Sequence, residues 1–112
     1  MMKLPDMRLA LVERGKITDY LLNPEHPGNG GKARFFRLLG FTQENWQALA
    51  SALRKSAQTA ETVLILESPH GRKYIQDGVL ESLNKRNRKI RMVWIIDSKD
   101  VLPRLVTAYP RE

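Results

Sequence analysis

The spacing of apolar and polar positions changes period once along the 112-residue chain, near residue 60. Before that point apolar residues recur at helical intervals. Ile17, Tyr20 and Leu21 share one face of a short predicted helix over 16–22, stopped at Asn23-Pro24 because proline drives the residue before it out of the helical region. Ala33, Phe36 and Leu39 do the same over 32–39, with Gly40 as the stop. A third stripe of Trp46, Leu49, Ala50, Leu53 and Ala57 predicts a helix running to Gln58. Thr42 is its expected N-cap, with Glu44 in the first turn, where the helix dipole favours an acid. Residues 9–12 are read as a short strand and residues 1–6 as a lead-in.

Beyond residue 60 the pattern is that of strands. Thr62 to Glu67 (TVLILE) is one, broken by Pro69 and Gly71, so that 68–72 forms a hairpin loop and 73–80 the returning strand. Ile90 to Asp97 (IRMVWIID) is almost continuously apolar and is expected at the centre of the sheet; 105–109 is the last strand, ended by Pro110. Helices followed by strands on short loops predict an α+β fold in one domain, N-terminal helices packed on a sheet of four or more antiparallel strands.

Composition narrows the function. A chain that is 42% hydrophobic can build one core unaided. The absence of cysteine removes thiol catalysis, cysteine-bound zinc and disulfides, and fits a reducing cytoplasm. No stretch approaches the ~20 apolar residues of a membrane span, and the first residues lack a signal-peptide pattern, so a membrane partner is not expected. Nineteen Lys and Arg against twelve Asp and Glu give a net charge of +7, and nucleic acid is the first polyanion to consider.

Candidate chemistry is sparse. The two histidines have no carboxylate at ligand spacing, the glycine run follows a helix rather than a strand, and no nucleophile elbow occurs, so neither metal nor organic cofactor is expected. Both histidines lie in loops beside cations: His26 in NPEHPGNGG ahead of Lys32 and Arg34, His70 in PHGRKY ahead of Arg72, Lys73 and Tyr74. An imidazole that exchanges protons near neutral pH, beside cations that hold a phosphate, is the minimum equipment for cleaving RNA without metal. The His26 loop carries few apolar groups and three glycines, which is most easily understood if it presents His26 to a substrate. Lys85, Arg86, Arg88 and Lys89 form an exposed run suited to phosphate contacts, and Arg91 lies within the strand that follows, on a face with Val93 and Ile95. On the last strand Val106 and Ala108 share one face, Thr107 and Tyr109 the other; the second pair suits gripping a phosphate or stacking a base.

Four stretches carry a resemblance: KITDYLLNPEHPGNGGKARFFRLLGF (16–41), HGRKYIQDGVL (70–80), VWIID (93–97) and PRLVTAYP (103–110). Together they resemble the bacterial family known as domain of unknown function 6883, across nearly the whole chain. That resemblance implies a toxin-and-antidote arrangement, with a small protein of the type of domain of unknown function 4926 as the antidote. The element order is also similar to the superfamily of barnase, EndoU, the tRNA-cutting colicins and RelE, metal-independent ribonucleases that cut through the 2′-hydroxyl. Carried over by position, it points to His26, Lys32, Tyr74, Arg91, Arg104, Thr107 and Tyr109.

The leading expectation is therefore a cytoplasmic ribonuclease toxin in which His26 is the general acid or base. Lys32 and Arg91 would clamp the phosphate, and Thr107 with Tyr109 would position the substrate. A basic module that binds nucleic acid without cutting it is the alternative, and a structural subunit whose basic face meets an acidic protein is the third.

Overall fold

The computed structural model describes residues 6–29 and 31–111, so the lead-in expected at 1–6, apart from Asp6, and Gly30 of the glycine run lie outside the described residues. The fold is α+β. A 3-10 turn (Met7–Leu9), a π-helical segment (Lys16–Leu21), α1 (Lys32–Leu38) and α2 (Trp46–Thr59) precede β1 (Glu61–Ser68), β2 (Gly71–Leu80), β3 (Arg88–Asp97) and β4 (Arg104–Pro110). The four strands pair in sequence order as an antiparallel meander, β1-β2-β3-β4.

The core follows from the two periodicities. On α2, Leu49, Ala50, Leu53 and Ala57 are buried, and on β3 the alternate residues Ile90, Met92 and Trp94 are fully so. Phe36 from α1, Phe41 from the loop after it, and Ile17 and Leu21 from the π-helical segment complete the same cluster. Burying each such side chain is worth roughly 1.5–3 kcal/mol, and this apolar layer fixes the helices on one face of the sheet.

Several elements differ from expectation for local reasons. Residues 9–12 form no strand: the Asp6 carboxylate accepts the Arg8 backbone N–H at 3.0 Å and starts the 3-10 turn, and only Leu11 makes a single parallel bridge, to Arg104. α2 begins at Trp46 rather than after Thr42. Thr42 N–H donates to Asn45 Oδ1 at 2.7 Å and Asn45 N–H to Thr42 Oγ1 at 3.4 Å, a closed turn that leaves Glu44 outside the helix. On β4 the register runs Val93↔Thr107 and then Trp94↔Leu105, so Val106 is an extra, bulged residue. Leu105 and Ala108, three apart, are therefore the buried pair, not Val106 and Ala108. Thr107 and Tyr109 stay opposite Val93 and Arg91 on the other face.

The β1–β2 hairpin turns on Pro69 and His70 alone. Gly71, just after it, has φ +145°, and a Cβ there would collide with the Ile96 carbonyl and lie 2.8 Å from Asp97 Cα. Gly71→Ala is expected to destabilise the domain by about 2–4 kcal/mol from combined strain and overpacking. Thermal unfolding of the variant checks this, with a melting temperature lower by roughly 4 °C for each kcal/mol.

Candidate functional site

Tyr20 is the centre of the densest polar cluster, and its position is set by a buried asparagine. The π-helical segment ends where Leu22 N–H donates to Ile17 O at 2.8 Å, five residues back, and Asn23 N–H donates to Tyr20 O at 3.2 Å. Asn29, 3% exposed, binds the carbonyls of this end from the side: its Nδ2 donates to Tyr20 O at 2.6 Å and to Leu21 O at 3.3 Å. Its Oδ1 accepts Ala33 N–H at 3.1 Å in the first turn of α1. The loop around His26 thus has a structural purpose that its glycine content conceals, because it carries the amide that locks the π-helical segment against α1.

That lock lays the segment along β4. The Tyr20 and Thr107 hydroxyls meet at 3.1 Å, and the His26 ring stands edge-on to the Tyr20 ring with centroids 5.0 Å apart. The ammonium groups of Lys16 and Lys32 lie 5.4 and 5.3 Å from the centre of the Tyr20 ring. Burial alone would push the Tyr20 hydroxyl up. The Lys32 ammonium and the Thr107 hydroxyl that bond it, with the positive charges of Lys32 and Lys16, outweigh burial and hold it below the usual phenol value. Among the described residues neither lysine forms an ion pair, so no carboxylate cancels the field at Tyr20. Beside Lys32, a cavity of about 440 Å³ opens between Gly31 and the Tyr109–Pro110 end of β4.

The structure thus brings together His26, Lys32, Thr107 and Tyr109 of the residues singled out in the sequence, and adds Tyr20 and Lys16. Tyr20 counted there only as an apolar position on a helical face; its partner at Thr107, 87 residues away, leaves no local trace. The His26 ring is itself held: Gly28 N–H donates to its Nδ1 at 3.0 Å, so in the neutral ring the proton sits on Nε2.

The other candidates lie elsewhere. Arg91 stands across from Tyr109, but its guanidinium forks onto Asp77 at 2.7 and 3.0 Å, and Arg111 reaches the same carboxylate at 2.8 Å. Hydrogen bonds to Asp77 hold Arg91 above its usual value, with burial opposing and Tyr109 assisting. Arg104 is engaged by Asp97 at 2.9 Å and Glu13 at 3.6 Å, and Arg72 by Glu67. Tyr74 is 5% exposed within the core, so its ring has no face open to a base. Lys73 is exposed on β2, and Arg34, two residues after Lys32, is exposed on another side of α1. Lys85, Arg86, Arg88 and Lys89 are all exposed, with Lys85 in the left-handed region at φ +63°. His70, at the hairpin tip, is remote: its neighbour Gly71 pairs with Asp97, four residues and about 13 Å along β3 from the Val93–Thr107 pair. Among the described residues no three His, Asp or Glu side chains converge to hold a metal ion, and no helix is long and apolar enough to cross a membrane.

Comparison with known proteins gives one family and one fold. The model of the family described as Domain of unknown function (DUF6883) matches residues 3–112. No curated protein matches the chain. A chain of the contact-dependent growth inhibition toxin–immunity protein complex from Klebsiella pneumoniae 342 is similar in structure over 96% of this chain and 97% of that one. The TM-score is 0.74 at 15% sequence identity, a likeness of fold.

Two expectations follow. In an alkaline titration followed by tyrosinate absorbance, one of the three tyrosines should ionise before the others; Tyr20→Phe should abolish that step and Lys32→Ala should move it up. Because the folded value is the lower one, the phenolate contributes stability that is complete above the unfolded value of about 10 and is lost as pH falls through the folded value. Separately, Asn29→Ala removes the side-chain partner of Leu21 O and of Ala33 N–H and one of the two partners of Tyr20 O, and chemical denaturation should register a loss of about 2–4 kcal/mol.

Proposed function

The chain belongs to the DUF6883 family, and on that premise we propose that it is a toxin-type endoribonuclease that cuts RNA through the 2′-hydroxyl without a metal. The observation that carries the reading is the Tyr20–Lys32 pair: a tyrosine with its ionisation favoured, its ring centre 5.3 Å from an ammonium that forms no ion pair among the described residues. The +7 charge supports a polyanionic substrate. The fold shared with a chain of a toxin–immunity complex supports a toxin or immunity type of module, and of those two roles a strongly basic surface favours the one that meets RNA.

In this mechanism the Tyr20 phenolate takes the proton from the 2′-hydroxyl as that oxygen attacks the adjacent phosphorus. The P–O5′ bond breaks, and the Lys32 ammonium gives a proton to the departing 5′-oxygen. The products are a 2′,3′-cyclic phosphate and a free 5′-hydroxyl. Tyr20 is then a neutral phenol and Lys32 a neutral amine; transfer of one proton from phenol to amine restores both, and no net proton is consumed. Lys16 adds positive charge against the developing phosphorane, and Thr107 keeps the Tyr20 oxygen aimed.

His26 takes a lesser part than the sequence suggested. With Nδ1 engaged by Gly28, its free Nε2–H serves as a donor to a phosphate oxygen; acting as an acid would require a second ring proton at Nδ1, which expels the Gly28 N–H. Tyr109 and Pro110 shape the substrate side of the cleft. A separate antidote protein, acidic enough to complement this surface, would silence the domain by covering Tyr20 and Lys32.

The test is cleavage of total RNA with EDTA present, read for 2′,3′-cyclic phosphate ends. Tyr20→Phe and Lys32→Ala should each lower the rate by ~10²–10⁴ while keeping the fold, the loss typical of a proton-transfer group. His26→Ala should cost only about tenfold, the worth of one hydrogen bond. Tyr20→Phe activity within threefold of the parent, or a larger loss at His26 than at Tyr20, would overturn the assignment. A parent protein that binds RNA and never cuts it would make the domain a binding module instead.

A further inference from the structure

We infer that the cleft beside Lys32 is a subsite for one unpaired nucleotide, its base stacked on Tyr109 and Pro110, so that the substrate is single-stranded or looped RNA rather than duplex. This rests on the ribonuclease reading for the identity of the polymer, but not on which residues carry the chemistry.

The cleft has about 440 Å³ of space and a short lining. Tyr109 contributes an aromatic ring and Pro110 an apolar, puckered one. Gly31 contributes no side chain, and a Cβ built there touches nothing within 4 Å. Lys32 supplies an apolar stem with one ammonium at its end. Apolar walls with a lone cation suit a base attached to a phosphate: the rings take either face of any base, and the ammonium takes the charge. Tyr109 is only partly exposed, and its backbone is held in the sheet by pairing with Arg91, so the strand that carries the ring is ordered before a ligand arrives.

The surroundings favour a single strand. Past Pro110, Arg111 N–H donates to Lys89 O at 2.9 Å, and both residues line a second, smaller cavity of about 180 Å³ together with Asp77. Arg91 and Arg111 are both engaged by Asp77, so Lys32 at the cleft and the exposed Lys89 beyond Pro110 are the cations left to meet a phosphate backbone at the end of β4. A base in a duplex has both faces stacked and its pairing edge engaged, so it cannot enter a cleft that binds it by its face.

The experiment uses an uncleavable probe, a 2′-O-methyl RNA oligonucleotide carrying 2-aminopurine, offered single-stranded or annealed to its complement at one fixed salt concentration. The single strand should bind at least about tenfold tighter than the duplex, and its 2-aminopurine fluorescence should be quenched by stacking. Tyr109→Leu, which keeps apolar bulk on β4, should lose about tenfold in affinity together with the quenching, whereas Tyr109→Phe should keep both. Equal affinity for duplex and single strand, absence of quenching in the parent protein, or a Tyr109→Phe loss as large as that of Tyr109→Leu would each overturn the subsite. Should Tyr109→Leu fail to fold, the parent's quenching and strand preference still decide. Tight, quenched binding of the probe with no cleavage of its 2′-hydroxyl counterpart would remove the ribonuclease reading and leave the subsite standing.

Discussion

The arrangement around Tyr20 depends on a single buried amide. Asn29 uses both N–H donors and its carbonyl inside the protein, joining the end of the π-helical segment to the start of α1. A buried side-chain amide is costly unless its polar atoms find partners; here they are partnered by backbone groups at a helix end and a helix start. The constraint is stiff because three bonds fix one planar group. Tyr20 and Lys32, twelve residues apart and in different helices, are thereby held on either side of one rigid joint.

Fixing the joint has an electrostatic consequence. Several arginines of this basic chain are neutralised: Arg91 and Arg111 share Asp77, Arg104 meets Asp97 and Glu13, and Arg72 meets Glu67. At Tyr20 the pattern inverts. Two ammonium groups approach one phenol ring, and among the described residues neither is in an ion pair, so the local field falls on the Tyr20 hydroxyl and draws its proton off more readily. A fold selected for stability alone would place a carboxylate there, as it does at Asp77. Unpaired positive charge around a titratable group, with Lys32 also lining a cleft, suits a site that takes a charged ligand.

Sequence periodicity was a good guide wherever one face of an element decides its fate. The α2 stripe and the alternation along β3 lead directly to the buried residues, because a single apolar layer rewards each repeat. It failed where one hydrogen bond or one extra residue outweighs the pattern. The Val106 bulge shifts the buried set of β4 to Leu105 and Ala108, and Asp6 turns residues 7–9 into a 3-10 turn. The candidate site was half legible. His26, Lys32, Thr107 and Tyr109 could be named because they are polar or cationic in segments that need not be. Tyr20 could not, since an amphipathic ring at helical spacing looks like a core residue until its hydroxyl partner is known. Asn29 was hidden for the opposite reason: an asparagine among glycines and prolines looks like turn chemistry, and its burial is a tertiary fact.

The same distinction explains why the two histidines diverge. Both sit in glycine-containing loops beside cations, and composition ranks them equally. His70 lies on a two-residue hairpin whose geometry is fixed by Gly71, at the end of the sheet away from Tyr20, so nothing in the described structure converges on it. His26 lies on the loop that Asn29 anchors, and the anchoring carries its ring to within 5.0 Å of Tyr20. Its Nδ1 is nonetheless already occupied by Gly28, which leaves the ring a donor of one hydrogen bond rather than a free exchanger of protons. Proximity to the site comes from the loop's structural role; the chemistry falls to the neighbour whose ionisation the surrounding charges favour.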